Sequence, residues 1–189
     1  MKKFELTSEF VTFLGKKLFR IKALISFGNV KEGELGGYVE KEENLSNDGN
    51  AWVSGNARVS GNARVYGDAW VSGNARVFGN ARMYGNAWVF GNARVYGNAW
   101  VSGNAWVSGN ARVSGDADYA TVHGFGSEYR TTTFFRTKAG DIGVRCGCFY
   151  GTLEEFRAKV KETHGETKTA KEYLMVADLM EFRFSKEEA

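Results

Sequence analysis

A six-residue pattern of small, polar and apolar positions runs through the middle of the chain without a gap. From Gly49 to Ser114 each of eleven hexads reads G-[ND]-A-[RW]-[VM]-[SYF], and a decayed copy covers residues 115–120. The third position is always Ala, Ala117 of the decayed copy included, and the fifth is Val or Met in every complete hexad. Because an extended chain points alternate residues to opposite sides, the third and fifth side chains face inward and the fourth faces outward. The pattern predicts short strands that bury their apolar sides by stacking as a solenoid.

A longer period of eighteen residues lies within the hexads and sets the cross-section. The outward fourth position is occupied by Trp52, Trp70, Trp88 and Trp106 in one row and by Arg58, Arg76, Arg94 and Arg112 in a second row. The third row is mixed and holds Arg64, Arg82, Trp100 and Asp118. Three hexads therefore make one coil, and the sequence predicts about four regular coils with three chemically distinct faces.

This pattern resembles the hexapeptide repeat of left-handed parallel β-helices. The resemblance covers residues 49–120, and the left-handed winding is what it implies, since periodicity alone does not give handedness. Hexapeptide β-helix proteins commonly pack as trimers, so the resemblance also makes a homotrimer the first expectation. The expected fold is mainly β: a left-handed parallel β-helix with a small N-terminal cap and a C-terminal α+β unit.

The flanking segments predict two small units that close the solenoid ends. Residues 1–48 contain two apolar runs around Gly15-Lys16, which is typical of a hairpin, and Asn44-Leu45 fall in hexad register ahead of Gly49. Residues 121–189 predict a second hairpin, over 131–137 and 142–148, and two helices. The first helix follows a capping box of Thr152 and Glu155, and the second starts near Thr169 with one apolar side, made of Tyr173, Val176, Ala177, Met180 and Phe184. This α+β unit is either a lid or the functional part that the solenoid presents.

Segments outside the hexads extend the resemblance over nearly the whole chain. Residues 18–24, 36–40 and 146–156, taken with the G-N-A-R-V tract, resemble a family of hexapeptide-repeat proteins found in bacteriophages and prophages. The resemblance carries over no biochemical role. Small phage proteins outside the virion often act on host proteins, including defence systems, so that class makes a host-cell cytoplasmic protein that binds a host protein the expectation. The N-terminus has no apolar core of signal-peptide length and no stretch approaches a membrane-spanning length, so a cytoplasmic protein without a membrane partner is expected.

The positive charge of the chain is concentrated on the solenoid. The net charge is +3, and only residues 49–120 carry an excess, with six Arg against three Asp. A ladder of Arg side chains about 5 Å apart is either a solvated face of stacked guanidinium groups or a strip for an acidic or phosphate-rich partner. The candidate binding residues are Arg58, Arg76, Arg94 and Arg112, with Arg64 and Arg82 of the mixed row. An anionic ligand or a nucleic acid is an alternative partner, although the charge excess is small for a dedicated nucleic-acid domain.

The aromatic positions predict a protein interface. The Trp row is joined in the middle coils by aromatic residues at the sixth hexad position, while both ends of the repeat carry Ser there. Exposed rings can stack on one another, but a continuous belt of this size is more than a monomer usually leaves in contact with water. The predicted interface residues are Trp52, Trp70, Trp88 and Trp106 together with Tyr66, Phe78, Tyr84, Phe90 and Tyr96.

The sequence offers little for catalysis or metal binding. Hexapeptide-repeat acyltransferases use acyl-CoA and a His beside a groove between subunits; this repeat has no His and no interrupting loop, and His123 is the one candidate near such a groove. A zinc site from His123, Cys146, Cys148 and His164 has poor spacing, and both Cys are expected to be buried along one strand with Ile142 and Val144. We therefore expect a non-enzymatic binding or scaffold protein without cofactor or metal, with an acyltransferase as the alternative.

Overall fold

The computed structural model, which describes residues 2–185, contains a β-solenoid built from the hexads. Each hexad forms a two-residue strand from its fourth and fifth positions, and the Gly-Asn pair that follows turns the chain into the next strand. The strands are β4 (Trp52–Val53), β5 (Arg58–Val59), β6 (Arg64–Val65), β7 (Trp70–Val71), β8 (Arg76–Val77), β9 (Arg82–Met83), β10 (Trp88–Val89), β11 (Arg94–Val95), β12 (Trp100–Val101), β13 (Trp106–Val107) and β14 (Arg112–Val113).

The strands stack in three parallel columns that repeat every eighteen residues, which confirms the predicted coil. Strands β4, β7, β10 and β13 align Trp with Trp, and β5, β8, β11 and β14 align Arg with Arg. The third column aligns Arg64 with Arg82 and Arg82 with Trp100. Backbone hydrogen bonds join successive coils, as from Arg76 N to Ala93 O at 2.9 Å.

Ala and Val side chains fill the interior of the coils. Every third-position Ala up to Ala111 and every fifth-position Val or Met up to Val113 has no exposed surface. The predicted inward position of Ala117 is wrong, because this residue is exposed. The decayed hexad forms a short 3-10 helix over Asp116–Asp118 instead of a strand, so its Ala does not turn inward.

Glycine is required at the corners because the turns bring two backbones together. Gly73 has a φ of +66°, and a Cβ on it would lie 3.1 Å from the backbone N of Gly91 in the next coil. The neighbouring Asn side chains bond along the stack, as from Asn80 Nδ2 to Asn98 Oδ1 at 3.1 Å. The Gly-Asn pair thus serves both the local bend and the contact between coils.

The N-terminal unit extends the Arg column. Strands β1 (Phe4–Phe13) and β2 (Lys16–Ala23) form the predicted hairpin, and β3 (Leu35–Val39) joins β2 to β5 in one seven-stranded sheet. The predicted hexad register of Leu45 is wrong: Leu45 pairs with Val65 and occupies a fifth-position place instead of an Ala place. Two extra residues between Leu45 and Val53 lengthen this first coil, which sequence spacing alone could not locate.

Two buried polar side chains cover the N-terminal end of the solenoid, which we call its lower end. The Lys3 ammonium donates to Ala51 O at 2.9 Å and Gly49 O at 3.2 Å, and the Asn44 amide donates to Ala63 O at 2.8 Å. Burial lowers the pKa of Lys3 to about 8, with Asp48 and Asp68 opposing the shift. These contacts satisfy carbonyl groups that would otherwise be unpaired at the open end of the stack.

The C-terminal unit is an antiparallel sheet with two helices on one side. Its strands are β15 (Tyr119–Val122), β16 (Thr132–Arg136), β17 (Ile142–Cys146) and β18 (Phe149–Thr152), followed by α1 (Leu153–His164) and α2 (Lys168–Phe184). The predicted capping box is confirmed, with Thr152 N donating to Glu155 Oε2 at 2.8 Å and Glu155 N donating to Thr152 Oγ1 at 3.2 Å. The predicted inward side of the second helix is buried, as expected.

This sheet closes the upper end of the solenoid. Phe135 packs into the solenoid core, and Trp106 N donates to Thr133 Oγ1 at 3.0 Å. Trp100 N, on the third column, donates to Asp116 Oδ1 at 2.9 Å. The unit therefore caps the solenoid, and its helices lie on the side of the sheet that faces away from the coils, around Phe134 and Val144.

Candidate binding surfaces and a groove beside the cap

The Arg column is partly covered by the N-terminal hairpin. The Phe13 ring at the hairpin tip lies 5.4 Å from the guanidinium carbon of Arg58 and 5.0 Å from that of Arg76, measured to the ring centroid. Burial and the neighbouring Arg94 and Arg58 lower the pKa of Arg76. Arg58, Arg76, Arg94 and Arg112 are all half-buried, so the column packs against its own surroundings more than a solvated strip does.

The two arginines of the mixed column are exposed but have different surroundings. Arg82 lies over the Trp100 ring, with its guanidinium carbon 4.9 Å from the ring centroid. Arg64 and Arg82 both border a depression that also contains Glu42, Glu43 and Asp48. That depression holds charges of both signs and does not favour an anion.

The Trp column is in register, but one of its members is not available to a partner. The prediction that Trp52 is an interface residue is wrong, because Trp52 is completely buried and packs edge-on against Phe27 at 5.4 Å between ring centroids. The N-terminal unit covers this end of the column, which the outward position in the hexad did not reveal. Trp70, Trp88 and Trp106 form a continuous stack with centroid distances of 5.9 and 5.4 Å, and Trp88 is 40% exposed.

The aromatic rings at the sixth hexad position also pack against other rings. Tyr66 stacks on Tyr84 at 5.4 Å and Phe78 stacks on Tyr96 at 5.2 Å, with planes within 8° of parallel in both pairs. Phe90 packs edge-on against Trp106 at 6.4 Å. All five rings are half-buried, so internal stacking takes up much of the predicted belt.

A group of exposed apolar side chains lies elsewhere, on α2. Met175, Leu179 and Phe182 are 70, 57 and 79% exposed, and their spacing places them on one side of the helix. Leu179 shares a depression with Trp100 of the third column, which is 45% exposed. We call Met175, Leu179, Phe182 and Trp100 the α2 surface. Only the buried side of α2 was predicted from the sequence. The i, i+4, i+7 spacing of Met175, Leu179 and Phe182 was also visible in the sequence and indicated a second apolar side.

A groove of about 850 Å³ separates the Trp column from the loops of the C-terminal unit. Its lining includes Trp88 and Trp106 of the column and Tyr129 and Arg130 of the β15–β16 connection. It also includes the corner residues Asn86 and Asn104, where Asn86 Nδ2 donates to Asn104 Oδ1 at 3.2 Å. We call this cavity the cap groove.

Arg145 is the cation that borders the cap groove from β17. Its guanidinium carbon lies 5.5 Å from the Trp106 ring centroid and 5.6 Å from that of Phe90. Its Nε is buried and has no hydrogen-bond partner among residues 2–185. The contacts with these two rings therefore position the Arg145 side chain beside the groove.

The His and Cys residues are divided between two cavities. His123 borders the cap groove, and its Nδ1 lies 3.1 Å from Thr131 Oγ1, while Cys148 borders both that groove and an adjoining cavity of about 280 Å³ that contains Cys146 and His164. Within the described part of the chain no three His, Cys, Asp or Glu side chains come together as a metal site. The predicted burial of Cys148 is wrong: β17 ends at Cys146, so Cys148 lies in the following turn and is exposed.

Comparison with known proteins identifies the repeat. Neither helix of the described residues is both long and apolar enough to cross a membrane. No curated protein matches the chain. A family model of the YdcK β-solenoid repeat matches residues 51–67, 57–73, 69–85, 87–103 and 93–109, all within the stacked coils. The middle of the chain is thus similar to that repeat, and the protein is a repeat β-solenoid protein.

Proposed function

We propose that this protein is a non-enzymatic binding protein in which the solenoid is a rigid support and the α2 surface docks a protein partner. The observation that carries the proposal is the exposure of Met175, Leu179 and Phe182 on one side of a helix whose other side is already packed. Exposing the outer apolar side of such a helix to water is unfavourable, and covering that side with a partner removes this cost. The α2 surface therefore fits a partner with an apolar groove or helix face.

The position of the surface supports the same function. Phe10, Leu14 and Leu35 are exposed on the N-terminal unit and Trp88 in the middle coils, but Trp100, Phe125, Tyr129, Tyr150, Met175, Leu179 and Phe182 are exposed in the C-terminal half. Large apolar residues are enriched where proteins bind one another. Exposed apolar groups are thus concentrated at the capped upper end of the stack.

The origin of this protein and the kind of partner it binds are proposed from the family resemblance. We propose that a phage or prophage encodes this protein. It would act in the host cytoplasm on a host protein such as a component of a defence system. A homotrimer, which the resemblance also favours, is the competing occupant of the α2 surface. The mass of the purified protein distinguishes them, because the monomer has a mass of 20.9 kDa.

Partner capture with matched variants tests the proposal. Tagged protein with Leu179→Ser and Phe182→Ser should lose a captured host protein that the wild type retains, while Phe10→Ser with Leu35→Ser should keep it. The captured protein is then purified and its affinity for each variant measured by calorimetry. Equal affinity for both double variants would contradict the proposal, and a wild-type mass of three chains that falls with the α2 variants would assign the surface to self-assembly.

The acyltransferase alternative has one observation in its favour. His123 borders the cap groove together with Arg130 and Arg145, so a base and two cations are near one another. An acyl-CoA enzyme should bind coenzyme A saturably and lose turnover on His123→Ala while keeping its fold. Absence of coenzyme A binding by calorimetry would remove this alternative.

A further inference from the structure

The charged side chains that line the cap groove are cationic. The charged side chains among its lining residues are Arg130 and Arg145, with His123 as the titratable neighbour, and no carboxylate of the described residues belongs to the lining. Arg130 is paired only across 3.4 Å with the exposed Glu128, an ion pair that contributes little. Arg145 makes no ion pair within residues 2–185, and its stacking on Trp106 holds the guanidinium at the groove. Two cations without firm partners favour an anionic ligand over a cationic one.

The same groove also offers flat apolar contacts. Tyr129 is 68% exposed and has a φ of +51°, a backbone conformation that costs free energy in a residue other than glycine. The faces of Trp88 are occupied by Trp70 and Trp106, so the indoles offer their edges, and Tyr129 supplies a free ring.

We propose that the cap groove binds a nucleobase that carries a phosphate group. Arg145 and Arg130 hold the phosphate, Tyr129 packs on the base, and Asn86 and Asn104 offer amide groups to the base edge. The volume of about 850 Å³ lies in the range of small-molecule sites. This chemistry is shared by a free mononucleotide and by a single-stranded nucleic acid, and neither source depends on the α2 surface.

Calorimetry with matched ligands separates the two parts of the recognition. The four ribonucleoside monophosphates, inorganic phosphate, adenosine and a short single-stranded oligonucleotide are titrated into the full-length protein. At least one monophosphate or the oligonucleotide should bind, with inorganic phosphate and adenosine each at least about tenfold weaker. Binding of a monophosphate assigns the site to a free nucleotide, and binding of the oligonucleotide alone assigns it to nucleic acid. Absence of binding by all of them, or equal affinity for inorganic phosphate, would overturn the proposal.

Variants connect the affinity to the groove. Arg145→Gln and Arg130→Gln should each weaken binding about tenfold or more, and Tyr129→Ala about fivefold or more. Arg183→Gln, at an exposed arginine of α2 that does not line the groove, is the control and should bind as the wild type does. Circular dichroism verifies that each variant is folded, and Arg130→Gln and Tyr129→Ala, whose side chains are exposed, keep the test valid if Arg145→Gln unfolds. Wild-type affinity in the folded groove variants would also overturn the proposal.

Discussion

The guanidinium carbon of Arg145 lies 5.5 Å from the centroid of the Trp106 ring. Arg145 belongs to the sheet that closes the solenoid, and Trp106 ends the stacked Trp column. The contact therefore joins the cap to the coils and at the same time places a cation at the edge of the cap groove. One pair of residues thus links stability of the closed end to the character of its candidate site.

A double-mutant cycle should measure this link. Arg145→Met combined with Trp106→Leu is expected to give a coupling free energy of about 0.5 to 2 kcal/mol in urea unfolding. Either single substitution already removes the contact between the cation and the indole, so the double variant does not lose it a second time. Arg145→Met with Trp100→Leu is the control, since Trp100 lies on another column under Arg82. Coupling of the same size in both cycles would contradict the assigned contact.

The two ends of the Trp column should differ in their effect on stability. Trp52→Ala is expected to reduce the free energy of unfolding by about 3 to 5 kcal/mol, because it empties a fully buried site beside Phe27. Trp88→Ala removes a ring that is 40% exposed and should cost about 1 to 2 kcal/mol. Urea denaturation followed by circular dichroism checks the order, and a larger loss for Trp88→Ala would show that the N-terminal unit does not cover Trp52.

Two corner glycines separate backbone strain from crowding between coils. Gly73 and Gly103 have φ values of +66° and +64°, but a Cβ would lie 3.1 Å from Gly91 N at the first and meet nothing within 4 Å at the second. Gly103→Ala should therefore cost about 1 kcal/mol from its conformation alone. Gly73→Ala should cost at least about 1 kcal/mol more by thermal unfolding, because the coils must move apart. Equal losses would argue against tight stacking at the corners.

Lys3 predicts a rise in stability at alkaline pH. Its pKa is lowered by burial from 10.5 to about 8, so between these values the folded chain has released a proton that the unfolded chain still holds. The free energy of unfolding then increases with pH across this window, by up to about 3 kcal/mol. Urea midpoints between pH 8 and 10 should rise less in Lys3→Met than in the control Lys2→Met, which removes an exposed ion pair with Glu42. Parallel pH profiles would exclude a buried ammonium at this site.

The regular part of the fold was predictable because each hexad repeats the same local choices. Gly supplies the corner, Ala and Val the core, and the eighteen-residue spacing is enough to align Trp52 with Trp70. The capping box at Thr152 was readable for the same reason, since its donors and acceptors lie within one turn. The complete hexads and the capping box, which depend on near neighbours in sequence, were predicted correctly.

What could not be predicted depends on contacts between distant segments. The burial of Trp52 arises from Phe27 in the N-terminal unit, and the cover on Arg58 arises from Phe13. Arg145 reaches the cap groove only because β17 folds back over the solenoid end, and no periodicity in the sequence indicates that. The α2 surface was a different omission, since the spacing of Leu179 and Phe182 was visible but the apolar residues on the opposite side dominated the interpretation.

Site-specific photo-crosslinking in host cells tests the central claim most directly. A photoreactive residue at Leu179 should give one adduct with a partner protein, and the adduct should disappear when Phe182→Ser is added. The same residue at Leu35, which is 47% exposed on the N-terminal unit, should give none. Adducts at Leu35 with no adduct at Leu179 would contradict a binding end built on α2.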